Sequence, residues 1–279
     1  MTVDSLGPRL REIRRDAGLT GRRLARLAGW HESKVSKIEN GKQKPSEKDL
    51  RTWCTHAGSL NQLPDLVCSV RNIGATYTEF CRVLDTGTVR QQKYLAEAED
   101  KADHIRCFEP CTVPGLLQTP AYFEWALAKV IGFYGTPNDL TEGQAAGLER
   151  QNVLFRSRRQ FTFLIAEQVL RTTVRDDLIM VGQLDRLLTV MSLPRLVLGI
   201  VPEKAAHVGP ASNGFVIYND GLVGVDTVSA QLSITQPGEI ALYERMFTLL
   251  SEQAVHGEVA RELIGREIAA RRTRLDLTG

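Results

Sequence analysis

The chain has 279 residues, 43% of them hydrophobic and 24% charged, with a formal net charge of +2. That length is enough for two domains with a sizeable core, and the composition excludes a disordered, fibrous or membrane-embedded protein. The near-neutral total hides an asymmetry: residues 1–58 hold 13 Lys/Arg against 7 Asp/Glu, and the remainder holds 22 against 26, so a basic end suited to nucleic acid sits on a mildly acidic body.

In chain order, Leu6, Leu10, Ile13 and Ala17 recur at three- and four-residue steps and predict an amphipathic helix over Pro8–Ala17, ended by Gly18. Residues 19–41, LTGRRLARLAGWHESKVSKIENG, predict two short helices joined by a tight turn. The first covers Gly21–Ala28 behind a Thr20 cap, and the second covers Glu32–Asn40 and stops at Gly41. Leu24, Leu27, Ala28, Val35 and Ile38 form the faces expected to be buried. The remaining faces carry Arg22, Arg23, Arg26, His31, Ser33, Lys34, Ser36 and Lys37, the chemistry of a surface that meets a polyanion. After the loop KQKPS, Ser46 with Asp49 three residues later opens a fourth helix to Ala57, with Leu50, Trp53 and Cys54 closing the core. This is a helix-turn-helix whose second helix is expected to enter the major groove of double-stranded DNA.

The runs L10-R-E-I-R-R-D-A-G-L-T, L24-A-R-L-A-G and K34-V-S-K-I-E-N-G-K-Q-K-P-S resemble the xenobiotic-response-element and lambda-repressor/Cro family. The resemblance implies a DNA-binding module, usually a homodimer on a palindromic operator. Many members carry Gln at the start of the first motif helix, where this chain has Gly21. From the geometry of such docking, Glu32, Ser33, Lys34 and Ser36 are expected at base edges and Lys37 between base and phosphate. His31 belongs to the same face, and Arg22, Arg23, Asn40, Lys42 and Lys44 are expected on phosphates. Glu39 is expected to pair with an arginine of the first helix.

Residues 60–74 read as a linker helix and 75–107 as long and helical, with one apolar stripe at Tyr77, Phe80, Cys81 and Leu84. A second stripe runs through Tyr94, Leu95, Ala98, Ala102 and Ile105, with Glu97, Glu99, Asp100 and Asp103 outside. The loop EPCTVPGLLQT (109–119) is fixed by two prolines and a glycine around apolar residues. It is expected to pack on the core or line a pocket, with Val113, Pro114, Gly115, Leu116, Leu117 and Gln118 as candidate ligand or partner residues. Helices are predicted over 121–131, 141–157, 168–171, 178–191, 237–253 and 255–272. Strands are predicted over 161–166, 195–201, 214–218, 222–226 and 229–234, with Asn219-Asp220-Gly221 as a hairpin turn. The expected fold is an all-α helix-turn-helix domain (1–60), a helical linker region (61–107) and a larger mixed α/β (α+β) domain (108–279).

The segments Y94-L-A-E-A-E-D-K-A, V113-P-G-L-L-Q-T-P-A-Y, Q183-L-D-R-L-L and I200-V-P are similar to the uncharacterised domain of actinobacterial WhiJ-like regulators. That resemblance implies an antitoxin-like regulator controlled by a small protein encoded by a neighbouring gene. No phosphate-binding glycine loop, HExxH or GxSxG is present. The five histidines, among them His207 in a polar loop, are scattered, and Cys107-x3-Cys111 has only His104 near it. No metal and no cofactor are expected, and the five cysteines read as reduced thiols. No apolar run reaches 18 residues, and MTVDSLGPRL lacks the order of a secretory leader, so a cytoplasmic, non-membrane protein is expected. The expected function is a transcription regulator, a repressor rather than an enzyme, whose larger domain dimerises and senses a partner or ligand. The rivals are a small-molecule-sensing repressor and a DNA-targeted, metal-dependent hydrolase built on Glu167 and Asp226.

Overall fold

The computed structural model describes residues 3–70, 76–156, 158–206, 209 and 213–278. Residues 71–75 of the expected linker helix and His207 lie outside them, as do the side chains of Tyr77, Phe80 and Cys81. The chain forms two compact units, Met1–Thr76 with Ser233–Leu242, and Tyr77–Leu232 with Tyr243–Gly279.

The first unit holds α1 (Val3–Asp16), α2 (Gly21–Ala28), α3 (Glu32–Glu39), α4 (Glu47–Ala57), a 3-10 turn at Leu60–Gln62 and α5 (Leu63–Val70). α1 starts five residues earlier than the periodicity predicts and carries Pro8 inside it. Leu6, Leu10, Ile13, Leu24, Val35, Ile38, Leu50, Trp53 and Cys54 are buried in one cluster, and Leu63 and Leu66 of α5 join it. The segment expected to be linker therefore completes this core. Two positions differ from expectation: Leu27 is 41% exposed and Ala25 is buried in its stead, because an eight-residue helix turned onto Leu24 places position 25 inward and 27 outward. Ala17 lies past the end of α1 and is exposed.

The second unit is built on a mixed sheet with strand order β1-β7-β6-β5-β2-β3-β4. Its elements begin with β1 (Thr76–Glu79), α6 (Phe80–Val83), α7 (Thr88–Asp100) and β2 (His104–Glu109). A 3-10 turn at Gly115–Leu117 precedes α8 (Pro120–Tyr134), α9 (Leu140–Arg150) and α10 (Val153–Arg156). Then come β3 (Gln160–Ala166), α11 (Gln168–Arg171), α12 (Asp177–Val190) and β4 (Leu196–Val201). The chain ends with β5 (Phe215–Tyr218), β6 (Leu222–Asp226), β7 (Ala230–Ile234), α13 (Pro237–Gln253) and α14 (Gly257–Thr278).

β2, β3 and β4 are parallel, with Ile105 opposite Phe161 and Phe163 opposite Leu198, and β5 runs antiparallel to β2 and β6. Phe163, Leu164 and Ile165 are consecutive and buried, the pattern of a parallel strand covered on both faces. The hairpin turn falls where expected: Asn219 takes a positive φ of 50°, and its Oδ1 accepts from the backbone N–H of Asp103 and His104. The expected helical run over 75–107 is corrected, because it contains two strands. Ile105 and Cys107 are buried at a spacing of two, on β2, and the helical stripe drawn through Ile105 crosses from α7 into a strand.

Candidate nucleic-acid interface

Local chemistry fixes each motif helix. The Thr20 Oγ1 accepts from the N–H of Arg23 at 3.1 Å, and α2 ends at Gly29, whose φ of 66° is the left-handed conformation that only glycine adopts freely. Gly29, Trp30 and His31 make the turn. His31 caps α3, its Nδ1 accepting from the N–H of Ser33 at 3.3 Å. The buried face of α3 is Val35, Ile38 and Glu39. Ser33, Ser36, Lys37 and Asn40, spaced three and four apart, therefore share the opposite face, and all four are exposed.

Glu39 is more than an exposed pair. Arg14 donates to it through Nε at 2.6 Å and Nη2 at 3.0 Å, Arg11 adds a bond at 3.0 Å, and both Arg14 and Glu39 are buried. This fork ties α1 to the end of α3. Gly7 lets α1 come close: a Cβ there would lie 2.5 Å from the Glu39 carbonyl oxygen. At Gly21 a Cβ would meet only Val35 Cγ1 at 3.6 Å, ordinary contact, so packing does not demand glycine there.

The predicted DNA-contacting residues fall into two groups. Arg22, Arg23, His31, Glu32, Ser33, Ser36, Lys37, Asn40, Lys42 and Lys44 are exposed. Within this group Arg22 pairs with Glu32 at 2.8 Å, and Asn40 is held by Arg11 and by the Ser36 carbonyl. Lys34 stands apart. Its Nζ lies 2.6 Å from Asp49 Oδ1 and 4.5 Å from the Trp30 ring centroid, with the side chain 27% exposed. It braces α3 against α4. Partial burial opposes the charge on Asp49, but the hydrogen bonds from Lys34 and Ser46 outweigh it and hold the carboxyl below its ordinary value.

In the second unit the 109–119 loop is stapled by side chains. The Val113 N–H donates to the Tyr122 hydroxyl, Gln183 Nε2 donates to the Leu117 carbonyl, and Gln151 Nε2 donates to the carbonyls of Gly115 and Gln118. Val113, Pro114, Gly115, Leu116 and Gln118 line a cavity of about 310 Å³, while Leu117 is packed in the core and is not among the lining residues.

Glu99, expected on an outer acidic face of its helix, is buried on this cavity's wall. α7 turns inward Thr88, Gln91, Gln92 and Glu99, a polar face that apolar periodicity does not detect. Opposite stands Arg150, its side chain 7% exposed and its Nε 3.5 Å from Glu99 Oε1. Gly115 makes room for it, since a Cβ there would lie 2.8 Å from Arg150 Nη2. Burial drives the Glu99 carboxyl up to about 7 despite the opposing pull of Arg150.

The sign of the resulting pH dependence follows. Between its unfolded value near 4.5 and its folded value near 7, Glu99 holds a proton only in the native state. Stability is therefore lost as pH rises from about 5 to about 8, by on the order of 2–3 kcal/mol. Urea unfolding of wild type and Glu99→Gln across that range checks this: the variant should keep only the shallower loss that Glu109, also raised to about 7, contributes, and a wild-type slope equal to the variant's would refute it.

The two carboxylates of the rival hydrolase reading do not meet. Glu167 and Asp226 lie after β3 and at the end of β6, with β2 and β5 between them, roughly 14 Å at normal strand spacing. Glu167 is held by Arg171 and by the Glu203 N–H. The acid that Asp226 does influence is Glu109, which partial burial first and Asp226 second push up to about 7.

Residues 92–266 match the family described as a domain of unknown function, DUF5753. Residues 5–61 match a helix-turn-helix domain, so the basic end is a DNA-binding module. No curated protein matches the chain. Among solved structures the chain is similar to TrmBL2, an archaeal chromatin protein described as showing a novel mode of DNA binding, at 11% identity. That likeness covers 86% of this chain and 88% of the other, with a TM-score of 0.32. No helix among the described residues is long and apolar enough to cross a membrane.

Proposed function

The chain belongs to the DUF5753 family, with a helix-turn-helix domain ahead of that family's domain, and we propose that it is a sequence-specific transcription regulator rather than an enzyme. The exposed stripe of α3 reads the operator from the major groove, the cations of α2 and of the loop after α3 hold phosphates, and the DUF5753 domain dimerises and senses a ligand or a small partner protein. Repression is the expected sign of regulation, in keeping with the resemblance to xenobiotic-response-element and WhiJ-like, antitoxin-like regulators. The observation that carries this reading is α3 itself. Its apolar residues and Glu39 face the core, which leaves Ser33, Ser36 and Lys37 free of packing duties, with Asn40 exposed beside them, on a domain with an excess of positive charge. A homodimer would set two such helices on half-sites about 34–36 Å apart.

Fluorescence anisotropy with duplexes from the DNA upstream of the protein's own gene tests this. Ser36→Ala with Lys37→Ala should weaken specific binding by roughly tenfold to a hundredfold, the loss of about 1–3 kcal/mol for a base contact. Arg22, Arg23, Lys37, Lys42 and Lys44 on phosphates should give a slope of log affinity on log salt of roughly −4 per monomer. An unchanged affinity in the double variant, with its helical circular dichroism intact, would remove α3 as the reading helix. The base-facing set omits Lys34, whose ammonium is engaged by Asp49.

A further inference from the structure

We propose that the 310 Å³ cavity of the DUF5753 domain binds a small amphipathic organic cation, with its ammonium on Glu109 and Asp226 and a hydroxyl at its other end between Arg150, Gln92 and Glu99.

Charge is the first argument. Three carboxyl groups line the cavity, those of Glu99, Glu109 and Asp226, and one cation, Arg150. The Arg150 charge is balanced by Glu99, its Nε 3.5 Å from Oε1, an ion pair without hydrogen-bond geometry. Glu109 and Asp226 have no ion-pair partner among the described residues; their side-chain bonds come from Thr112 and Gln231, both neutral. Glu109 is partly buried and Asp226 exposed, so the pair is open to a charged group arriving from solvent. Both line the cavity from the ends of β2 and β6, one on either side of β5, and like charges on one wall disfavour each other until one binds a proton or a cation is supplied.

The second argument is independent and lies at the other end. Four buried polar atoms of residues that line the cavity have no hydrogen-bond partner: Gln92 Oε1, Glu99 Oε2, and Arg150 Nε and Nη1. Gln92 is 8% exposed, Glu99 4%, and the Arg150 side chain 7%. A buried orphan of this kind costs about 1–3 kcal/mol, and four on one wall call for a guest that both accepts and donates. A hydroxyl does both, accepting from Arg150 and donating to Gln92 or Glu99. Between the ends the wall is apolar, with Leu95, Val113, Leu116, Phe123, Leu127 and Phe163, so the guest needs an apolar middle. A cavity of about 310 Å³ lies at the small end of ligand pockets, roughly 300–1,000 Å³, which suits a small guest.

Isothermal titration calorimetry of the full-length protein tests the site, with tyramine as probe and with its homologues one carbon shorter and one longer. At a pH above both raised carboxyls, one of the three should bind one per chain, at least tenfold tighter than 4-ethylphenol, which lacks the amine. It should also bind more tightly than 2-phenylethylamine, which lacks the hydroxyl. Glu109→Gln with Asp226→Asn should erase the preference for the amine while the circular dichroism is unchanged. No saturable heat from any of the three, equal affinity for 4-ethylphenol, or a preference that survives the double variant overturns the proposal. That such a guest alters DNA binding rests on the regulator reading and is a separate measurement, operator anisotropy with and without the probe. Calorimetric binding with unchanged anisotropy removes the effector role and leaves the site. Absent operator binding removes the regulator reading and leaves the calorimetry to judge the cavity.

Discussion

Glu39→Ala should lower the stability of the first unit by about 3–5 kcal/mol, the cost of leaving a buried charge without its partner. Arg14 is 8% exposed and reaches Glu39 with two parallel bonds, so truncating the acid strands a guanidinium inside a core of about a dozen apolar residues. The remaining bond of Arg14, from Nη1 to the Leu19 carbonyl at 2.6 Å, does not neutralise it. Replacing both partners at once, Arg14→Met with Glu39→Leu, should recover most of the loss, because desolvating two charges costs nearly what their attraction returns. Urea denaturation followed by circular dichroism measures both. A loss below about 1 kcal/mol for Glu39→Ala would show that the pair is solvated and that α3 is held by its apolar residues alone. Glu39 is the last residue of α3, so the single variant should also weaken operator binding without touching any surface residue of the reading stripe.

Arg271→Ala should destabilise the second unit by a similar amount, about 3–5 kcal/mol, and lower its melting point by roughly 10 °C. Arg271 is fully buried on α14. Its Nη2 donates to the carbonyls of Leu170 at 3.0 Å and Arg171 at 2.8 Å, and its Nη1 lies 2.5 Å from Asp177 Oδ1. These carbonyls are orphans at the end of α11, which no further helical turn satisfies. A cation there also meets the negative end of the helix dipole. One planar fork thus joins three helices, so Arg271→Lys, a compact charge without that geometry, should recover only part of the loss. Full stability in Arg271→Lys would show that charge alone matters. Bonds from Arg274 and Arg271 hold Asp177 below the ordinary carboxylate range. The stability Asp177 adds is present above its unfolded value, near 4, and is lost as pH falls through its lower folded value.

The first sixty residues were open to sequence reasoning because their signals are local. Thr20 and Ser46 act on groups within a few residues, and each caps the helix it is expected to open. β3, β4 and the hairpin at Asn219 were legible for the same reason, since a parallel strand buried on both faces writes a continuous apolar run. The helix α7 is legible, but the expected helix runs on into β2 and puts Glu99 outside, because α7 buries polar side chains. Hydrophobic periodicity reports the face that avoids water, and the face carrying Gln91, Gln92 and Glu99 does not. Spacing within α3 puts Lys34 at a base edge, because nothing in its own helix binds it. Asp49, fifteen positions on, does.

The sequence by itself determined that a basic helix-turn-helix precedes a mixed α/β body, because caps, turns and apolar spacing act over one or two turns of chain. It also marked the 109–119 loop as packed, since Pro and Gly restrict a backbone wherever it lies. Only the tertiary structure decided what those pieces enclose. Glu99 and Arg150 are 51 positions apart, and Glu109 and Asp226 are 117 apart. Glu99 and Arg150 come to 3.5 Å because α7 packs on α9, and Glu109 and Asp226 line one cavity because a single strand, β5, separates β2 from β6. Charge so placed loses its water and must find protons, partners or a guest, and no local pattern in the chain records that demand.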